Sequence, residues 1–175
     1  PNIYEFDNDG VGKYISDDFK DLRPKSAYFV QGKDGYWRYY DEHGFPVVGS
    51  ATIDGYDMYF HLGTRRQAKG EFVDIKGKVY YFDKDNGRKV KDTTFDFDGK
   101  TYVADQSGVI TIKSHSTQRN RYINDSEGNW YYVNDKGYLL LGAHTIDNVK
   151  VYFGTNGVQY KGHFAPDNHY YDKDN

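Results

Sequence analysis

The chain holds 175 residues with a formal charge of −3, 23 basic against 26 acidic side chains, and no cysteine. That balance excludes the basic footprint of a nucleic-acid or anionic-membrane binder, and the missing thiols exclude disulfides and thiolate metal sites. Hydrophobic residues make up 37 % and aromatics 18 %, with 19 tyrosines, so burial rests on rings more than on Leu, Ile and Val.

Read from the start, IYEFDNDG resembles the later half of a repeating unit. Turn dipeptides then recur as Asp34-Gly35, Asp54-Gly55, Lys76-Gly77, Asp98-Gly99, Glu127-Gly128, Asp147-Asn148 and Asp167-Asn168, at intervals of 20, 22, 22, 29, 20 and 20. After them come the short aromatic runs YWRYY, YDMYF, KVYYF, KTYV, NWYYV, VKVYF and HYY, several followed by a second polar turn such as DEHG, DKDNG, DQSG or NDKG. Asp-Gly and Asn-bearing turns between short alternating runs predict β-hairpins, and no stretch sustains the 3.6-residue period of a helix. One unit has too little apolar surface to fold alone. The expected architecture is all-β, a β-solenoid of stacked β-hairpin repeats of about 20 residues.

The wide interval holds KSHSTQRNR, polar and free of aromatics. It divides the chain into a first hairpin array, 1–112 with loose boundaries before 28, a polar joint or insertion at 113–125, and a second array, 126–175, truncated at its C-terminus. The halves are related: Trp37, Gly44, Ile53, Tyr59, Gln67, Lys69 and Phe72 recur as Trp130, Gly137, Ile146, Tyr152, Gln159, Lys161 and Phe164. Their offset is 93 at first and 92 at the end, so one residue is missing from a turn. The closing YYDKDN repeats the start of YFDKDNGRK, so the sequence is expected to be part of a longer chain, with any export signal outside it. The apolar run Tyr138–Leu141 is too short to span a bilayer.

No enzyme chemistry is written here. There is no Gly-x-Ser-x-Gly elbow, no His-Glu-x-x-His and no phosphate loop. His43, His61, His115, His144, His163 and His169 form no close ligand pair, and FDNDG, DKDNG and DFDG do not complete a calcium loop. The acids sit beside Gly or Asn, where Asp serves turns. No catalytic residue, metal or cofactor is expected.

Binding fits better. An aromatic ring presents a flat face to the C–H face of a pyranose, and a few polar groups fix the hydroxyls. Strand alternation puts Trp37 and Tyr39 on one face, and Trp130 and Tyr132 on another, opposite Tyr131 and Val133. Most tyrosines must still fill the core. RRQAKGEF and GVQYKGHF repeat Gln-x-Lys-Gly-x-Phe; on extended backbone Gln67 with Lys69, and Gln159 with Lys161, point the same way. An amide and an ammonium together suit vicinal hydroxyls. They equally suit a solvated strand edge that lysine keeps from pairing.

IKGKVYYFDKDNGRKVK, TIDGYDMYF…RRQAKGEF and TIDNVKVYFGTNGVQYKGHF resemble the repeats of the glucan-binding domain, domain V, of glucansucrases, the secreted glycoside hydrolase family 70 enzymes of lactic acid bacteria. The match covers most of residues 28–175, weakly at 105–125, and the first 27 only loosely. The resemblance implies a non-catalytic β-solenoid that holds α-glucan, as dextran or isomalto-oligosaccharide. It also implies a covalently linked catalytic domain and a secreted or cell-surface bacterial setting. Carried over, one sugar pocket uses Tyr39, Gln67 and Lys69. A second uses Tyr132 with Gln159 and Lys161, or Tyr131, which keeps the 28-residue spacing of Tyr39 to Gln67. Tyr81 with Thr111 and Lys113 marks a weak or degenerate site, since threonine replaces glutamine; RKVK at 88–91 also lacks it. Alternatives are a choline-binding repeat, a toxin-type glycan-binding repeat of a surface protein, and a structural spacer. Against choline stand only two tryptophans and a lysine at the pocket.

Overall fold

Seven turn dipeptides predict seven hairpins, and each lies at the tip of a strand pair. The computed structural model describes residues 4–6, 12–14 and 26–173, so most of IYEFDNDG, and Asp174 and Asn175 of the closing YYDKDN, lie outside the described residues. Among the described residues the structure is all β, with no helix. The chain divides into two compact units, residues 1–47 and 48–175.

In the first unit β1 (Tyr4–Phe6) pairs β2 (Gly12–Tyr14), and β3 (Tyr28–Gln31) pairs β4 (Trp37–Tyr40). Cross-strand rings hold the second hairpin: Phe29 and Tyr39 lie 4.6 Å apart, and Tyr28 stacks on Tyr40 at 5.4 Å.

The second unit begins with two hairpins, β5 (Gly49–Ile53) with β6 (Tyr56–Phe60) and β7 (Glu71–Ile75) with β8 (Lys78–Phe82). A six-stranded sheet follows, built from β9 (Thr93–Phe97), β10 (Lys100–Ala104), β11 (Ile110–Lys113), β12 (Arg121–Asn124), β13 (Trp130–Val133) and β14 (Tyr138–Leu139). Its order is β12-β13-β14-β11-β10-β9, and β11 pairs β14 through Ile112 and Leu139, so the sheet runs across the polar stretch 113–125. The hairpins β15 (Gly142–Ile146) with β16 (Val149–Phe153) and β17 (His163–Phe164) with β18 (Tyr170–Tyr171) complete it.

The dipeptides sort into two turn types. Asp54-Gly55, Lys76-Gly77, Asp98-Gly99 and Asp147-Asn148 have positive φ at both residues, the two-residue turn that matches strand twist. At Gly35, Gly128 and Asn168 only the second residue is left-handed, and the loop is wider. There and in the second turns an aspartate or asparagine side chain does the shaping: Asp41, Asp105 and Asn134 each accept two backbone N–H groups.

After each hairpin the chain returns along its second strand. Single bridges mark the returns at Tyr40–Pro46, Phe60–Gln67, Phe82–Lys89 and Phe153–Gln159. The missing residue between the halves lies here: Arg65 N–H bonds His61 C=O across five residues, whereas Gly157 N–H bonds Gly154 C=O across four. A buried core joins Val79, Tyr81, Tyr102, Ile110, Ile112 and Leu141. The β7–β8 tip docks on β15, where Ala143 N–H meets Gly77 C=O at 2.7 Å. Gly142, at φ +81, makes that approach possible; a Cβ there would sit 2.3 Å from the same oxygen.

Candidate functional site

The returning segment after β16 carries Gln159 and Lys161. Gln159 N–H donates to Trp130 C=O at 2.7 Å, tying this segment to β13 of an earlier hairpin. Tyr160 turns the other way onto Tyr152, with ring centroids 5.2 Å apart. The alternation places Gln159 and Lys161 on one side, and they line a hollow of about 350 Å³. Tyr122 and Trp130 from β12–β13 form one wall; Ile146, Asp147 and Val149 at the β15–β16 tip form another.

Trp130 is 40 % exposed, so much of its indole remains open, and Lys161 Nζ lies 5.8 Å from the ring centroid. Tyr122 stands edge-on to both Trp130, at 6.4 Å, and Tyr132, at 5.1 Å. Burial raises the Tyr122 hydroxyl above its ordinary pKa, keeping it a neutral donor. Gln159 is 8 % exposed and Asp147 adds a carboxylate acceptor at the rim. Aromatic walls with an amide, an ammonium and a carboxylate around them can take a small polyhydroxylic ring.

The two tyrosines proposed as the floor here are placed differently. Tyr132 shares a strand face with Trp130 and packs on Tyr122, while the ring lining the hollow beside the Gln-x-Lys pair is Trp130. Tyr131 is on the opposite face. Its hydroxyl donates to Asp125 Oδ2 at 2.8 Å, and burial first, then the Asp125 carboxylate, push it up to about 12. Trp130 was legible as the alternation partner of Tyr132. Tyr122 lies in the polar stretch 113–125, outside the repeated aromatic runs, so repetition carries no signal for it.

Gln67 and Lys69 hold the same repeat position as Gln159 and Lys161, with Gln67 bridged to Phe60. Gln67 is 5 % exposed, and its amide nitrogen donates to Asn86 C=O at 3.2 Å and to Met58 Sδ at 3.3 Å. Tyr39, in the first unit, is half-buried against Phe29. Tyr81 is enclosed in the core, stacked on Phe95 at 4.7 Å. Thr111 donates to Val103 C=O, and Lys113 is exposed at the end of β11. Among the described residues no group of three or more His, Asp or Glu is placed to hold a metal.

A family model described as a choline-binding repeat matches residues 47–95 and 140–175, the stretches that contain the two Gln-x-Lys pairs. Glucosyltransferase-S of Streptococcus mutans serotype c is 31 % identical over 149 residues, 83 % of this chain and 8 % of that protein. Glucosyltransferase-I of Streptococcus downei is 32 % identical over 140 residues, 79 % of this chain and 7 % of its own. The chain is thus similar to short stretches of these glucosyltransferases and, at 47–95 and 140–175, to choline-binding repeats. Among solved structures, alternansucrase in complex with isomaltononaose is 34 % identical with a TM-score of 0.42, covering 79 % of this chain and 10 % of that one. This chain spans less than a tenth of the length of the curated relatives it matches.

Proposed function

We propose that this chain is a non-catalytic carbohydrate-binding module, built as a β-solenoid of hairpin repeats, that holds α-glucan such as dextran or isomalto-oligosaccharide. The observation that carries the reading is the hollow in which Trp130 and Tyr122 face Gln159 and Lys161. A glucosyl ring lies with its C–H face on the indole of Trp130. The Gln159 amide donates to and accepts from one hydroxyl pair, Lys161 donates to a neighbouring oxygen, and Asp147 accepts at the rim. One platform and three or four hydrogen bonds of about 1 kcal/mol each amount to roughly 4 kcal/mol, a dissociation constant of about 1 mM. Such a pocket is useful on a polymer, where neighbouring glucosyl units rebind at high effective concentration. Within the hollow Tyr132 supports Tyr122, and Tyr131 is a packing residue. The repeat correspondence extends the proposal to Gln67 and Lys69 of the second unit, and Tyr39 of the first unit holds the repeat position of Tyr132. The enclosed ring of Tyr81 fits a degenerate site at Thr111 and Lys113.

In this reading the module belongs to a secreted or cell-surface bacterial protein. It tethers glucan for a covalently linked catalytic domain that polymerises glucose from sucrose, and its two arrays meet at 113–125. The choline-binding family match favours a second reading, in which aromatic rings cage a quaternary ammonium. Lys161 argues against it, since its ammonium already lies near the face of Trp130 and would repel such a ligand.

Affinity electrophoresis through gels containing dextran separates these readings. The intact chain is expected to be retarded by dextran and unaffected by choline. Trp130→Ala and Gln159→Ala should each weaken retention at this pocket at least about tenfold, ~1.4 kcal/mol. Undiminished retention in both variants would remove the hollow from the account.

A further inference from the structure

The hairpin β5–β6 has a hollow at the same repeat position, with different contents. Asp57 stands where Trp130 stands: Lys89 N–H donates to Asp57 C=O at 2.7 Å, as Gln159 N–H does to Trp130 C=O. Phe82 bridges Lys89 as Phe153 bridges Gln159, so Lys89 and Lys91 replace the Gln-x-Lys pair. Both ammonium groups are drawn to the Asp57 carboxylate. Lys91 Nζ donates directly to Asp57 Oδ2, Lys89 Nζ lies 3.2 Å from the same oxygen, and Thr52 Oγ1 donates to Oδ1 at 2.8 Å. Lys91 first, then Thr52, hold the Asp57 carboxyl well below the usual range, so it remains ionised.

The rings nearby are also occupied by cations: Arg88 lies 3.3 Å over Tyr56, and Lys89 Nζ lies 5.0 Å from the Tyr80 centroid. The space left is about 170 Å³, against about 350 Å³ at Trp130. Among the described residues the one ring that lines the space, Phe82, is buried at 1 % exposure and offers a sugar no open face. A sugar entering here would have to exchange charge-assisted bonds for weaker neutral ones.

We infer that the residue at this strand position selects what fills the hollow. An aromatic ring leaves it to a sugar. A carboxylate draws in the returning lysines, and the repeat becomes a self-liganded clasp that takes no glucan. This selection rule rests on the glucan reading of the Trp130 hollow, whereas the clasp itself does not.

The test uses the intact chain, titrated calorimetrically with isomaltotriose and melted in parallel. Asp57→Ala should keep every sugar site of the wild type, with affinities unchanged within about twofold, ~0.4 kcal/mol. Asp57→Ala and Lys91→Ala should each lower Tm, and the double variant should fall by less than the sum, because the second change removes a partner already lost. Asp57→Trp with Lys89→Gln should gain one sugar site. Loss of a site in Asp57→Ala would overturn the inference, as would strictly additive Tm changes. So would a Trp/Gln variant that melts like the wild type yet gains no site. If the wild type bound no isomaltotriose, the glucan reading and the selection rule would fall together, and a non-additive melting cycle would still uphold the clasp.

Discussion

His144 is a half-buried histidine on β15, its Nε2 2.9 Å from Leu141 C=O, and burial pushes its imidazole below the ordinary 6.5. The folded protein therefore holds this ring neutral at pH values where the unfolded chain binds a proton. By linkage, stability is full above the unfolded pKa and falls as pH drops through about 6.5 toward the lowered folded value. Melts across pH 7.5 to 5 are expected to show that decline, and His144→Phe should flatten it; an unchanged slope in the variant would assign the decline to other groups. At the same scale the candidate site was half legible. Gln159 and Lys161 declared themselves by repetition, and period-2 alternation paired Trp130 with Tyr132. Choosing between Trp130, Tyr131 and Tyr132 required knowing that Tyr131 is held by Asp125 and that Tyr122 stands against Tyr132, cross-strand facts that one strand's sequence does not contain.

The hairpins were legible because their turns are chemical: Asp54-Gly55, Lys76-Gly77, Asp98-Gly99 and Asp147-Asn148 adopt the paired left-handed conformation that a two-residue turn requires, and a left-handed Gly or Asn closes the wider loops. Less visible was how one element meets another. The close approach of the β7–β8 tip to β15 turns on Gly142, where a Cβ would meet the Gly77 carbonyl. Gly142→Ala adds left-handed strain of about 1 kcal/mol or more and forces the Gly77 carbonyl away, breaking its 2.7 Å bond to Ala143. A urea melt is expected to register a loss of about 2–4 kcal/mol. A loss below about 0.5 kcal/mol would mean that the two elements separate freely. The polar stretch 113–125 shows the limit of composition as a guide. Strand β12 (Arg121–Asn124) starts there, and β11 pairs β14 across it, because backbone pairing needs no aromatic run.

For the whole chain, the repeat number matters more than any single pocket. Among the described residues Asp41, Asp105 and Asp125 shape turns and Asp57 holds a clasp, whereas Asp147, Gln159 and Lys161 line the hollow beside Trp130. In the proposed reading, feeble, repeated pockets retain a long glucan without gripping any one unit tightly. The most direct test is a crystal of the intact chain soaked with isomaltotriose. The account predicts a glucosyl ring seated on Trp130, its hydroxyls within hydrogen-bonding distance of Gln159 and Lys161. An empty hollow at Trp130, with sugar bound elsewhere or nowhere at saturating concentration, would contradict it.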